Sequence, residues 1–387
     1  MKVAIFGASG FVGTALVETL LGREDIETVA YIHHIGNAWR LSRANIPLKV
    51  VDILSEKAVA ESLRGVTHVV NCTRGASDVM LAGLQNLLRA SKAQAVQRFV
   101  HLSSMAVYGN PPPPESEHED APASPSPGSY GWEKLKQDNM VAAQTGLNSV
   151  VLCSPNISGV YSSYVTNVLT DIRNGTFALV DGGNRPINII DVDNLVHAII
   201  LALRVGKGDG KRIFVSDGDG YTWKNLSDAL LPIAERSTPV PTVSAGEMIS
   251  PVVKGVPEGS LWKSIKHLAS SEVREAIRRD PRWARVDAKI RRLVARSGTN
   301  VEDRLRYSIE GPQKVSKVPE PNPYSSRYMP QQLLGVCHRI DRARDVLGYE
   351  PKISFAKSME RYRVWYEVMY GFGKPYWPLA SLIAFGK

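Results

Sequence analysis

Seven residues near the start of the chain constrain its fold most: Gly7-Ala8-Ser9-Gly10-Phe11-Val12-Gly13. They follow the apolar run Val3-Ala4-Ile5-Phe6, which reads as a buried strand. They precede Ala15-Leu16-Val17-Glu18-Thr19-Leu20-Leu21, which reads as a helix. Strand, glycine turn and helix together form the setting that a dinucleotide pyrophosphate needs. Small residues let the backbone come close, and the helix N-terminus offers free N–H groups and a favourable dipole. The spacing is Gly-x-x-Gly-x-x-Gly rather than the commoner Gly-x-Gly-x-x-Gly, and taken by itself it would also fit a tight turn.

A second pattern lies downstream. In Tyr130-Gly131-Trp132-Glu133-Lys134 a tyrosine stands four residues before a lysine, which puts both side chains on one face of a helix. The Lys134 ammonium is expected to favour the Tyr130 phenolate and so lower its pKa. A tyrosine tuned in this way exchanges a proton with an alcohol or a ketone near neutral pH. The hydroxyl of Ser104 is expected to hold the same substrate oxygen. Ser104, Tyr130 and Lys134 are therefore the candidate catalytic residues, for hydride transfer at a carbon that bears an oxygen.

With these residues in view, the chain resembles the extended short-chain dehydrogenase/reductase family, the NAD(P)-dependent epimerase/dehydratase group. The similar pieces are residues 7–13, HLSSMAVYG at 101–109, YGWEK at 130–134, SPNISGVY at 154–161, NIIDVDNLVHAIILAL at 188–203 and a C-terminal piece at 339–362. The resemblance covers about residues 1–245 and 335–370. It implies an α/β, Rossmann-type doubly wound parallel sheet with a smaller C-terminal substrate domain. It also implies epimerase or ketone-reductase chemistry, with a nucleotide-activated sugar as the small-molecule substrate. A hydroxysteroid- or flavonoid-type ketone reductase and a non-catalytic dinucleotide-binding scaffold are the alternatives. The family's 4,6-dehydratases carry two carboxyl residues directly after the serine or threonine. Here Met105 and Ala106 stand there and can transfer no proton, which disfavours that reaction.

The resemblance also assigns binding residues. Gly7, Ser9, Gly10, Phe11, Val12 and Gly13 would cradle the pyrophosphate. Asp52 and Ile53 match the adenine-contacting pair, and Asn71-Cys72-Thr73 matches the loop beside the cofactor. Pro155, Asn156 and Ile157 match the segment at the nicotinamide end, where Tyr130 and Lys134 also contribute. An acidic residue about 20 positions past the glycines would favour NAD. The chain instead reads His33-His34, with Arg40 and Arg43 beyond. Imidazoles and guanidiniums suit a 2′-phosphate, so the reading leans to NADP over NAD. Met105, Asn156, Tyr161, Arg173 and Arg185 are candidate substrate contacts, since an arginine fork can take two diphosphate oxygens. His197, on an apolar helix, reads as packed rather than catalytic.

Strands are expected at 2–6, 27–32, 48–51, 67–71, 97–102 and 148–153, and helices at 13–22, 55–64, 77–92 and 130–145. This alternation calls for a parallel sheet covered on both faces. The dinucleotide-binding domain is expected at 1–155 plus about 188–215, and the substrate domain at 156–187 and 216–387. The proline-rich stretch Pro111–Pro127 reads as a surface loop near the site.

The chain has 387 residues, 43% hydrophobic and 22% charged, with a net charge of +9. Most of the excess is local: residues 251–300 carry 12 Lys and Arg against 5 Asp and Glu. Within an atypical basic insertion at about 246–334, segments 261–268, 273–279 and 290–296 read as short amphipathic helices. They are candidates to meet an anionic membrane surface or an acidic carrier. No nucleic-acid-binding module is recognised. Cys72, Cys153 and Cys337 are too few and too scattered for a disulfide framework or a metal site. No run approaches the roughly 20 apolar residues of a membrane span, and the chain enters a strand at once, so no signal peptide is expected. The expectation is a cytoplasmic protein, with the aromatic run Tyr366–Phe385 as a second candidate membrane contact. Pairing of two copies through helices 77–92 and 130–145 is expected by analogy with the family.

Overall fold

Val3, Ala4, Ile5 and Phe6 are all at most 1% exposed, the continuous burial expected of a parallel strand covered on both faces. They form β1 (Lys2–Phe6), followed by α1 (Phe11–Leu20), β2 (Glu27–Ile32), β3 (Leu48–Val50), α2 (Glu56–Ser62), β4 (His68–Asn71), α3 (Ser77–Ala93) and β5 (Arg98–Ser104). Then come α4 (Tyr130–Ala142), β6 (Ser149–Ser154), β7 (Asn156–Ser158), α5 (Ser163–Arg173), β8 (Leu179–Val180) and β9 (Ile189–Asp191). The next elements are α6 (Val192–Arg204), β10 (Asp209–Phe214), α7 (Trp223–Leu230) and β11 (Thr242–Val243). Among the described residues the helices Met329–Leu333, Asp341–Leu347 and Phe355–Tyr370 follow. The computed structural model describes residues 1–205, 208–218, 220–245, 328–333 and 335–371, with the side chain of Arg43 outside that description. The expected basic helices at 261–268, 273–279 and 290–296, and the run beyond Gly371, lie outside the described residues.

The main sheet has the order β10-β6-β5-β4-β1-β2-β3, and every pairing in it is parallel. The doubly wound fold read from the alternation is present. The chain leaves β1 for β2 on one side and later returns to β4 on the other. The crevice at the carboxyl ends of β1 and β4 is therefore the switch point where ligands bind in such sheets. Leu16 and Val17 of α1 pack with Leu195 and Ile199 of α6 on one face, and Val59, Leu84 and Leu88 of α2 and α3 cover the other. A separate apolar cluster joins α5 and α7 to Tyr328, Phe355, Met359 and Tyr362.

Two polar clamps fix the downstream chain. Asn194 Oδ1 accepts from the Lys352 and Ile353 backbone N–H groups at 2.8 and 2.9 Å, and its Nδ2 donates to Asp217 Oδ1 at 2.6 Å. Within the proline-rich crossover, Glu119 accepts from the Phe214 N–H at 2.8 Å and Tyr108 Oη donates to the Glu119 carbonyl at 2.6 Å. Among the described residues no helix is long and apolar enough to cross a membrane, and no cluster of three or more His, Cys, Asp or Glu could hold a metal ion.

Candidate active site

The glycine turn closes against itself. A Cβ on Gly13 would lie 2.2 Å from the Gly7 carbonyl oxygen, so α1 sits this close to the turn only because residue 13 has no side chain. Gly10 precedes α1 and gives it no side-chain cap, which leaves first-turn N–H groups free for an anion. Gly10, Phe11, Val12 and Gly13 line a cavity of about 540 Å³. These features fit a dinucleotide pyrophosphate.

The catalytic candidates meet on the same cavity. Ser104 ends β5, opposite Ser154 of β6, and its Oγ accepts from the Ala106 N–H at 3.3 Å. Ser129 caps α4 by accepting from the Trp132 N–H at 3.2 Å, which makes Tyr130 the first helical residue. A Cβ on Gly131 would sit 2.0 Å from the Ala106 carbonyl oxygen. The bare glycine therefore lets α4 press onto the turn after Ser104, close enough for a Ser104–Tyr130 hydrogen bond. Lys134 lies one turn further on, 4% exposed, with Nζ donating to the Leu102 carbonyl at 2.8 Å.

Electrostatics correct one expectation. The Tyr130 phenol is pushed above its usual pKa, chiefly by burial, although the residue keeps 39% of its surface exposed and solvent tempers that push. The cation that opposes it is Arg74, whose guanidinium carbon lies 4.9 Å from the ring centroid. The Ser104 hydrogen bond also favours the phenolate. Lys134 is not among the leading influences on Tyr130. Its Nζ is 6.0 Å from the ring centroid, and burial drives the ammonium itself down to about 8, against the opposing pull of Asp138. Sequence spacing put the two side chains on one face but could not weigh desolvation against charge.

Cys72, Thr73, Met105, Pro155, Asn156 and Ile157 also line the cavity. The Cys72 thiol, pushed up to about 12 by burial, stays protonated. Asn71 turns inward: its Oδ1 accepts from the Thr73 N–H at 3.1 Å and the Thr73 hydroxyl at 2.7 Å, so it shapes the loop. Gly7 and Ser9 flank the lining residues. Asp52 accepts from the Leu54 N–H at 2.9 Å, and Ile53 packs beside Gly83 of α3.

Other candidates stand apart. His33 and His34 follow β2 with ring centroids 4.1 Å apart. Arg40 is engaged twice, pairing with Glu18 at 2.5 Å and lying 3.8 Å over the Tyr161 ring. Arg173 donates to Tyr366 Oη and the Ile233 carbonyl, each at 2.9 Å, and Arg185 pairs loosely with Asp181 at 3.8 Å. None of Tyr161, Arg173 and Arg185 lines the cavity. His197 packs 6.1 Å from the Tyr349 ring. Sequence reasoning passed over Arg74, one residue beyond Asn71-Cys72-Thr73, and also Trp223, Gln331 and His338, which line the cavity from far downstream.

Similarity to known proteins points the same way. A 3-beta-hydroxysteroid dehydrogenase of Mycolicibacterium neoaurum is 24% identical over 285 residues, 66% of this chain and 75% of that protein. A UDP-glucose 4-epimerase of Vibrio cholerae is 24% identical over 269 residues, 62% of this chain and 79% of that one. The fold is shared with a UDP-glucuronic acid 4-epimerase of Bacillus cereus, solved in complex with NAD. That likeness has a TM-score of 0.62 at 16% identity and covers 95% of this chain and 99% of the other. Residues 3–215, more than half of the chain, match the NAD dependent epimerase/dehydratase family, and the chain belongs to that family of NAD-dependent oxidoreductases and epimerases.

Proposed function

We propose that this chain acts as an epimerase or a ketone reductase, by hydride transfer at a carbon bearing a hydroxyl or keto oxygen, on a nucleotide-activated sugar. The observation that carries the reading is the convergence of Ser104, Tyr130, Lys134 and the N-terminus of α1 on one cavity. Tyr130 takes the hydroxyl proton during oxidation and returns it during reduction. Ser104 holds the same oxygen, Arg74 supports the phenolate, and Lys134 anchors the first turns of α4 to β5 through the Leu102 carbonyl. A nicotinamide dinucleotide would supply the hydride acceptor and donor, held by Gly10–Gly13 at the pyrophosphate and by Thr73 and Pro155–Ile157 at the nicotinamide end. Met105 and Ala106, which carry no carboxyl, speak against a 4,6-dehydratase.

The cofactor reading keeps its lean towards NADP on the strength of His33 and His34. Arg40 supports it less, because its guanidinium is committed to Glu18 and Tyr161. A second substrate reading, a hydroxysteroid- or flavonoid-type ketone reductase, is favoured by the charge of the cavity. Among the described residues that line it, the Arg and Lys side chains are Arg74 and Lys134, both at Tyr130. Pairing through α3 and α4, and contact of residues 250–300 with an anionic membrane surface or acidic carrier in a cytoplasmic setting, belong to the same proposal. They are checked by sedimentation of the protein without and with liposomes.

The deciding experiment denatures the protein as purified and identifies any released dinucleotide by mass spectrometry. Stoichiometric NAD or NADH supports an epimerase that regenerates its cofactor within each cycle, and ends the NADP lean. An empty protein that then binds NADPH more tightly than NADH supports a reductase. A protein that binds neither refutes the proposal.

A further inference from the structure

Part of the cavity wall comes from residues far downstream of the catalytic ones. Trp223 opens α7, Gln331 stands in the helix Met329–Leu333, and His338 follows in the chain between that helix and the helix Asp341–Leu347. All three bring polar atoms without a protein partner. His338 is 2% exposed, and neither ring nitrogen makes a hydrogen bond within the chain. Its ring meets Phe214 edge-on at 5.1 Å, and its backbone N–H donates to Asn188 Oδ1 at 3.1 Å, so its position is fixed. Trp223 is also 2% exposed, with its indole N–H unpartnered. Gln331 donates to Asn110 Oδ1 at 3.1 Å while its own Oε1 has no partner.

Leaving such a group without a partner costs stability. Buried polar groups are normally satisfied, so four such atoms on three residues that line one cavity mark a surface shaped for a ligand. Its chemistry is specific. Burial drives the His338 imidazole down to about 4, so at neutral pH it is uncharged, with one N–H donor and one acceptor nitrogen. Trp223 adds a donor and Gln331 an acceptor. Hydroxyl groups, which both donate and accept, match this set; a phosphate, which is charged and accepts only, does not.

We propose that His338, with Trp223 and Gln331, binds the hydroxyl groups of the substrate's sugar ring and helps to set which ring the enzyme accepts. The proposal rests on the sugar reading above for its ligand class.

The test uses the full chain, with methyl β-D-glucopyranoside as the probe at high concentration. It is followed by the histidine ring ¹⁵N signals and, in every variant, by the Val336 amide signal. The expected result is a saturable shift of the His338 ring signals in the wild type. Binding should be roughly tenfold weaker in His338→Phe, with a melting temperature that is not lowered, since the apolar ring removes two unsatisfied nitrogens. Absence of a saturable His338 shift, or unchanged affinity in His338→Phe, overturns the proposal. So does lost affinity with a lowered melting temperature in both His338→Phe and His338→Gln, which would make the imidazole structural. A parallel Tyr130→Phe chain keeps the two readings apart. Normal turnover there sinks the hydride-transfer proposal and leaves the His338 affinities standing.

Discussion

The Arg74 guanidinium lies 4.9 Å from the centre of the Tyr130 ring and is the main cation opposing the effect of burial on that phenol. Replacing it with glutamine removes that support, so the Tyr130 pKa rises further. A rise of one unit leaves about tenfold less phenolate at any pH below the transition. Arg74→Gln should therefore slow alcohol oxidation about tenfold at pH 8 and move the rising limb of the pH–rate profile upward. Ketone reduction, which uses the neutral phenol, should change little near pH 7. Profiles measured in both directions check this.

Tyr130→Phe keeps the ring and removes the proton carrier. General acid–base catalysis of this kind is worth about 10² to 10⁴ in rate. Turnover should fall by that factor while the circular dichroism spectrum and dinucleotide affinity stay as in the wild type. Dinucleotide titration beside steady-state kinetics separates the two effects.

Gly131→Ala places a methyl group 2.0 Å from the Ala106 carbonyl oxygen, and a backbone atom cannot swing aside. The start of α4 must move off the turn after Ser104, which stretches the Ser104–Tyr130 hydrogen bond. Overpacking of this kind costs about 1–3 kcal/mol. The expected outcome is a lower urea midpoint together with a fall in kcat. An unchanged kcat would show that the close approach is not needed for chemistry.

Lys134 gives a pH dependence with a definite sign. Its folded pKa is about 8 against an ordinary 10.5. Below pH 8 the folded chain carries a buried ammonium at full cost. Between 8 and 10.5 the unfolded chain binds more protons, so stability rises with pH. The difference corresponds to about 3 kcal/mol. Lys134→Met should remove this dependence. It should also stabilise the chain at pH 7 by about 1–2 kcal/mol, once the lost bond to Leu102 is deducted. Urea unfolding of both chains at pH 7 and pH 10 measures it, with turnover lost in the variant.

Arg40 tests the cofactor reading by contrast with the histidines. Its ion pair and ring contact should be worth about 1 kcal/mol together. Arg40→Ala should lower stability by that amount and leave the ratio of NADPH to NADH affinity unchanged. His34→Asp, which adds a carboxylate just past β2, should move the ratio towards NADH by about tenfold or more. Dissociation constants for both dinucleotides in each variant decide the matter.

The legible parts of this chain were those governed by neighbours in sequence. Val3–Phe6 reads as a strand because all four side chains are apolar. Tyr130 and Lys134 read as a pair because helical spacing is local, and the expected first helix overlaps Phe11–Leu20. What escaped was set by distance or by dielectric. Nothing near His338 signals that it meets the cavity lined by Tyr130, because the sheet and the downstream helices bring them together. Arg40 looked available for a phosphate until the fold paired it with Glu18. Lys134 looked like the tuner of Tyr130, although burial weakens its own charge and Arg74 faces the ring.

The Asn194 clamp on Lys352 and Ile353 carries a consequence for synthesis. The glycine turn, Ser104, Tyr130 and Lys134 all emerge from the ribosome early. The segment bearing His338 emerges far later, and the chain beyond it, at Lys352 and Ile353, is fastened by a residue already in place on α6. Contacts between such remote stretches close late, because the intervening chain must first be ordered. A nascent chain can thus assemble the glycine turn and the Ser104–Lys134 side of its cavity before the wall bearing His338 is in place.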